Sequence, residues 1–138
     1  MEDITNSIIF PRGNKFPENY RKNFIGQAWI NILIEQNNEW NCTIGNVTFE
    51  PGCRNNWHKH PGGQILLVTG GKGWFQEWGK GERVIRPGDV VKIPANKKHW
   101  HGAARDSWFI HLYITTNSDR GSTEWMEPVL DEYYNKLK

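Results

Sequence analysis

Apolar residues along this chain recur mostly with a period of two, and glycine- or proline-rich turns separate the runs. In the stretch 24–34, Phe24, Ala28, Ile30, Ile32 and Ile34 share one face of an extended segment, with Gln27 and Asn31 on the other. Shorter extended runs follow over 42–49, 57–60, 64–69, 73–78, 82–86, 90–93, 99–103 and 108–115. Between them lie Pro51-Gly52, Pro61-Gly62-Gly63, Gly70-Gly71, Gly79-Lys80-Gly81, Pro87-Gly88-Asp89 and Pro94-Ala95-Asn96. Short strands at this spacing predict an all-β sandwich or barrel. Residues 1–23, with Pro11, Gly13 and Pro17, read as an irregular arm, and residues 24–115 as the barrel. Only the tail, 122–138, reads as helical, with Trp125, Val129 and Tyr133 at i, i+4 and i+8. Thr123 would cap that helix, and Pro128 would break it into two pieces. The chain has no internal repeat and no low-complexity stretch.

The histidines add chemistry to this β pattern. All 5 lie between positions 58 and 111, and four form the pairs His58-Lys59-His60 and His99-Trp100-His101. Side chains at i and i+2 of a strand project to one face, so His-x-His on a strand can present two imidazoles to one ion. The turn Pro61-Gly62-Gly63 would bring Gln64 back toward the same point, and the turn Pro94-Ala95-Asn96 would return His99. His58, His60, His99 and Gln64 are therefore the candidate metal ligands. Imidazole nitrogen and amide oxygen suit one first-row divalent ion per chain, such as Mn, Fe, Ni or Zn.

Composition narrows the remaining classes. A chain of 138 residues fits one domain. At that size about two thirds of the unfolded surface is buried, enough for a core without disulfide staples. The 8 Trp, 6 Phe and 4 Tyr supply large apolar area. A net charge of +2 with scattered Lys and Arg argues against a nucleic-acid partner. Cys42 and Cys53 make neither a zinc knuckle nor a disulfide framework, and Cys53 reads as a plain thiol. Acids at Glu2 and Asp3 stand where a signal peptide would be basic, and no run approaches the roughly 18 apolar residues of a membrane span. A reduced, cytoplasmic protein without membrane contact is expected.

Gly52 through His58, His60, Gln64 and Gly71 resembles the first cupin motif, in which a glycine precedes His-x-His, an acid and a closing glycine. Gly88 through Pro94 and His99 resembles the second. Gln64 stands where that family usually has Glu, Asn96 replaces a glycine, and Ala103 replaces an asparagine. Phe49-Glu50-Pro51-Gly52, His60-Pro61, Arg86-Pro87-Gly88-Asp89, Lys98-His99-Trp100-His101-Gly102-Ala103 and Glu124-Trp125-Met126-Glu127 look like one group of small single-domain cupins. That group includes manganese-dependent bacterial hydroxynitrile lyases and cupins associated with carboxymuconolactone decarboxylases. The resemblance implies a jelly-roll barrel, a shell of His58, His60, Gln64 and His99, and manganese as the favoured metal.

A glutamine ligand leaves the shell neutral, so the ion keeps a charge unit that a glutamate would cancel and is the stronger Lewis acid. That suits lyase, isomerase or hydrolytic chemistry, and the resemblance favours a lyase acting on a small carbonyl or hydroxy compound. His101 and His111 are the candidate acid–base groups beside the metal. Phe109 and Tyr113 share a face with His111, and Trp74, Gln76 and Trp78 share a face that could line the interior as a substrate pocket. An iron-dependent dioxygenase and a non-catalytic metal- or small-molecule-binding protein are the alternatives. Edge strands and an arm favour a homodimer, with a tetramer as the larger option.

Overall fold

A computed structural model describes residues 8–138; the first part of the expected arm, 1–7, lies outside the described residues. The chain runs through β1 (Asn14–Lys15), α1 (Glu18–Arg21), β2 (Phe24–Ile25), β3 (Ala28–Ile34) and β4 (Cys42–Phe49). It continues through β5 (Arg54–Asn55), β6 (His58–Lys59), β7 (Gln64–Gly71), β8 (Gly73–Glu77), β9 (Arg83–Ile85) and β10 (Val90–Ile93). β11 (His99–Ala103), β12 (Phe109–Thr116), a 3-10 turn at Ser118–Arg120, β13 (Glu124–Trp125) and α2 (Asp131–Tyr134) complete it. The strands form two antiparallel sheets, one ordered β1-β3-β4-β12-β7-β10 and the other β13-β6-β11-β5-β2 with β8 and β9 joined through β11. The expected all-β barrel is the fold observed, and no helix among the described residues is long and apolar enough to cross a membrane.

Alternation explains how the sheets close on each other. In β7 Gln64, Leu66, Val68 and Gly70 are buried while Ile65, Leu67, Thr69 and Gly71 are only half-buried, and in β10 Val91 and Ile93 point inward. These residues pack with Ala28, Val47, Phe49, Cys53, Ile85, Ala103 and Phe109 between the sheets. A second apolar cluster covers the outer face of the other sheet, where Trp57, Trp74 and Trp100 meet Val129, Tyr134 and Leu137 of the tail.

Two expected elements differ. The run 24–34 is not one strand: Gly26, at φ +90°, breaks it and sends β2 to one sheet and β3 to the other. A Cβ there would lie 2.9 Å from Cys53, so the turn needs glycine. Beyond Ile30 the alternation does not mark the core, since Ile32 and Ile34 are exposed. The helical tail is reduced to one turn, α2, preceded by β13 and an extended stretch through Pro128. Trp125 and Val129 reach the barrel from that extended path and Tyr133 from α2, so the three do not share one helix face. Thr123 caps nothing; its hydroxyl meets His60 instead.

The tail is held by a buried arginine. Arg54 Nη2 donates to Val129 O at 2.8 Å and to Asp131 Oδ1 at 2.5 Å, and its guanidinium lies 4.2 Å from the Tyr134 ring centroid. The Tyr134 hydroxyl donates to Ala103 O, tying the same segment to β11. Arg54→Ala is expected to cost about 1.5–3 kcal/mol, the scale of a hydrogen bond to a charged group in a buried setting. A urea midpoint unchanged by that substitution would contradict the assignment.

Candidate metal centre

The two His-x-His pairs meet because β6 and β11 are neighbours, with His99 directly opposite His58. Pro61-Gly62-Gly63 then reverses the chain so that Gln64 begins β7. Gly62 is required there, because a Cβ would run into the carbonyl oxygens of Thr116 and Asn117. Asn96 occupies the turn before His99 at φ +63°. Asparagine tolerates that left-handed backbone better than most residues, which explains how it stands where the cupin motif carries glycine.

Ligand atoms of His58, His60 and His99 lie within 4.8 Å of one another, and all three residues are buried. One ring nitrogen of each has a partner outside the cluster. His58 Nδ1 donates to Asn56 O at 2.7 Å and His99 Nδ1 to Lys97 O at 2.8 Å, while His60 Nδ1 meets Thr123 Oγ1 at 2.9 Å. A proton on Nδ1 leaves the Nε2 lone pair free for an ion, as outer partners do in metal–histidine sites. His60 Nε2, His99 Nε2 and Gln64 Oε1 are buried with no hydrogen-bond partner among the described residues. Gln64 donates through Nε2 to Thr115 Oγ1 at 3.1 Å, which turns its carbonyl oxygen the other way. Three orphaned buried acceptors with braced rings are what a cation would satisfy, so these residues fit a metal ion.

Burial also keeps the imidazoles neutral. It is the largest cause holding His60 down at about 3 and His99 at about 4, with the neighbouring His99 adding to the effect on His60. His58 is pushed well below its usual value by burial and then by His99 and His60. The ligands need shed no proton near neutral pH before they bind a cation. Thr115→Val, which keeps the shape but removes the acceptor for the Gln64 amide, is expected to weaken metal binding about 10–100-fold. Titrating the metal-free protein with zinc measures this, and equal affinity would show that Thr115 does not orient Gln64.

His101 and His111 are buried in the same interior, 4.8 Å apart between ring centroids, with His101 5.7 Å from His58. Burial lowers His111 to about 4, and lowers His101 well below its usual value with His111 as the next cause. Both nitrogens of His111 are buried without a partner among the described residues. Its ring packs against Phe49 and Phe109, at 5.6 and 5.4 Å. Tyr113, on the same face of β12, lies across Gly45, and burial raises its hydroxyl to about 12.

The pocket expected from Trp74, Gln76 and Trp78 is not part of this interior. Their shared face of β8 points outward: Trp74 joins the outer cluster, and Gln76 Oε1 accepts from Trp100 Nε1 at 2.9 Å. Trp78 is exposed, stacked edge-on against Trp57 and beneath Lys98 Nζ at 3.7 Å. Both faces of β8 are covered by aromatic neighbours, so its alternation could not tell inside from outside. The opposite face carries Phe75, whose ring is 5.9 Å from that of His99. Sequence reasoning also missed Asn55, Thr115 and Thr123. Among these only Thr115 had a signal, since it shares the face of His111 and Tyr113.

A family profile described as a cupin domain matches residues 45–113. Over 113 residues the chain is 43% identical to an (R)-mandelonitrile lyase of Granulicella tundricola, a match covering 82% of this chain and 86% of that protein. A crystal structure of a cupin-like protein from Thermotoga maritima superposes with a TM-score of 0.87 at 46% identity, covering 94% of this chain and 96% of that one. A DMSP lyase from Ruegeria pomeroyi, 19% identical, shares the fold alone, with a TM-score of 0.65 over 90% of this chain and 62% of that one. The paired histidines, the two-sheet barrel built around them and these matches agree: the chain belongs to the cupin family.

Proposed function

We propose that the protein is a metal-dependent lyase that splits a small cyanohydrin into a carbonyl compound and hydrogen cyanide. The observation that carries this reading is the buried cluster of His58, His60, His99 and the orphaned Gln64 oxygen, set in the same interior as the unpartnered imidazole of His111. The 43% identity to an (R)-mandelonitrile lyase supports it. His58, His60, Gln64 and His99 would hold one divalent transition metal, manganese first and iron, nickel or zinc as alternatives. That ion would supply Lewis acidity, strengthened because Gln64 brings no negative charge.

The remaining work falls to the chain's own residues. Burial keeps His111 neutral, so its lone pair can take the proton of the substrate hydroxyl. As that O–H bond breaks, the carbonyl double bond forms and the carbon–carbon bond to the nitrile cleaves, its electron pair leaving on cyanide. His111 then returns the proton, and hydrogen cyanide departs. Phe49 and Phe109 pack around His111 and keep bulk water from competing for that proton.

The test is direct. Protein carrying one manganese ion per chain should convert mandelonitrile to benzaldehyde and cyanide. Metal-replete protein that turns over neither mandelonitrile nor an aliphatic cyanohydrin would sink the reading. We further propose that it works in the cytoplasm as a homodimer or a tetramer, the exposed Ile32, Leu33, Ile34 and Trp40 being suited to subunit contact. Sedimentation as a monomer would refute that assembly.

A further inference from the structure

His101 and His111 are both buried imidazoles of one interior, but Asn55 makes them chemically unlike. The Asn55 side chain reaches from β5 to β11 and engages His101 twice. Asn55 Oδ1 accepts from the backbone N–H of His101 at 2.9 Å, and Asn55 Nδ2 stands 3.2 Å from His101 Nε2. A backbone N–H can only donate, so the atom facing it must be the amide oxygen. The atom facing the ring is then the amide NH2, which has only hydrogens to offer. His101 Nε2 must accept, and the neutral ring carries its single proton on Nδ1.

Both residues are buried, Asn55 at 3% and His101 at 4% exposure, so water does not compete for these bonds. His101 Nδ1 has no partner among the described residues. The ring lies nearly parallel to that of His99 and 4.8 Å from that of His111. We propose that Asn55 is a positioning residue that locks His101 as an N–H donor facing the barrel interior. His101 is thereby removed from both the ligand set and the role of base, and His111 is left as the proton acceptor. The N–H suits an acceptor atom of the substrate, a carbonyl oxygen or a nitrile nitrogen. This division of labour rests on the lyase reading, whereas the tautomer itself does not. An aspartate at position 55 would still accept from the backbone N–H, but its second oxygen would demand a proton on Nε2.

The tautomer can be read without any assay of turnover. In zinc-loaded protein with nitrogen-15 in its histidines, long-range proton–nitrogen correlation spectra report which ring nitrogen is protonated. The wild type should carry the His101 proton on Nδ1, and Asn55→Asp should bring a proton onto Nε2. In the manganese form the same variant should lose about 10–100-fold in kcat for cyanohydrin cleavage, with KM within about twofold and metal content unchanged. A wild-type His101 protonated on Nε2 would overturn the proposal, and that measurement needs no variant to fold. A folded Asn55→Asp protein with the proton still on Nδ1 alone would overturn it equally. A tautomer switch in a protein that cleaves no cyanohydrin would uphold the role of Asn55 and remove only the lyase reading.

Discussion

His111→Phe is expected to lower kcat for cyanohydrin cleavage by about 10²–10⁴-fold, the range supplied by a positioned general base. Metal stoichiometry should not change, because His111 is not among the three histidines whose ligand atoms cluster. The substitution keeps an aromatic ring between Phe49 and Phe109, so cavity formation does not confuse the result. It also removes two buried nitrogens that lack partners among the described residues. An unsatisfied buried polar group costs about 1–3 kcal/mol, so the variant should be at least as stable as the parent. Loss of turnover with a raised or equal melting temperature is the signature of a group kept for chemistry at the expense of stability. Retained turnover would remove His111 from the mechanism.

Metal-free protein is expected to lose stability steeply as the pH falls from about 6.5 toward 4. An unfolded histidine titrates near 6.5. In the fold, burial holds His60 at about 3 and His99 and His111 at about 4, and holds His58 and His101 lower than usual as well. Between those values the unfolded chain binds protons that the folded chain refuses, so acid favours unfolding, while above about pH 6.5 the effect vanishes. Each histidine contributes about 1.4 kcal/mol per pH unit inside the window. Several acting together would exhaust the roughly 5–15 kcal/mol of a typical domain before pH 4 is reached. Urea midpoints at pH 7, 6 and 5 would measure the slope, and a flat series would show that the imidazoles are not buried as described.

The clustering of His58, His60 and His99 was readable because period-two spacing is geometric: His58 and His60 share a face whatever surrounds the strand. The turns were readable too, since Pro61-Gly62-Gly63 and Pro94-Ala95-Asn96 can do little else. What alternation cannot say is which side of a strand is the interior when both sides are covered, and this misplaced Trp74, Gln76 and Trp78. The partners that brace the rings were hidden for another reason. Asn56 and Lys97 act through backbone carbonyls, which every residue has, and Thr123 arrives from a tail 63 positions beyond His60. The tail is helical over a shorter stretch than its stripe suggests, because Trp125 and Val129 lie on an extended path around Pro128 and only Tyr133 falls within α2.

That path carries a consequence for biogenesis. Thr123 braces His60, and the Trp125 ring lies 4.7 Å from that of His58, so residues more than 60 positions downstream finish a site begun at β6. While the ribosome still encloses this stretch, the nascent barrel offers its imidazoles without their full support. If the site takes an ion as proposed, binding of full strength would await emergence of residues 123–125 from the ribosome.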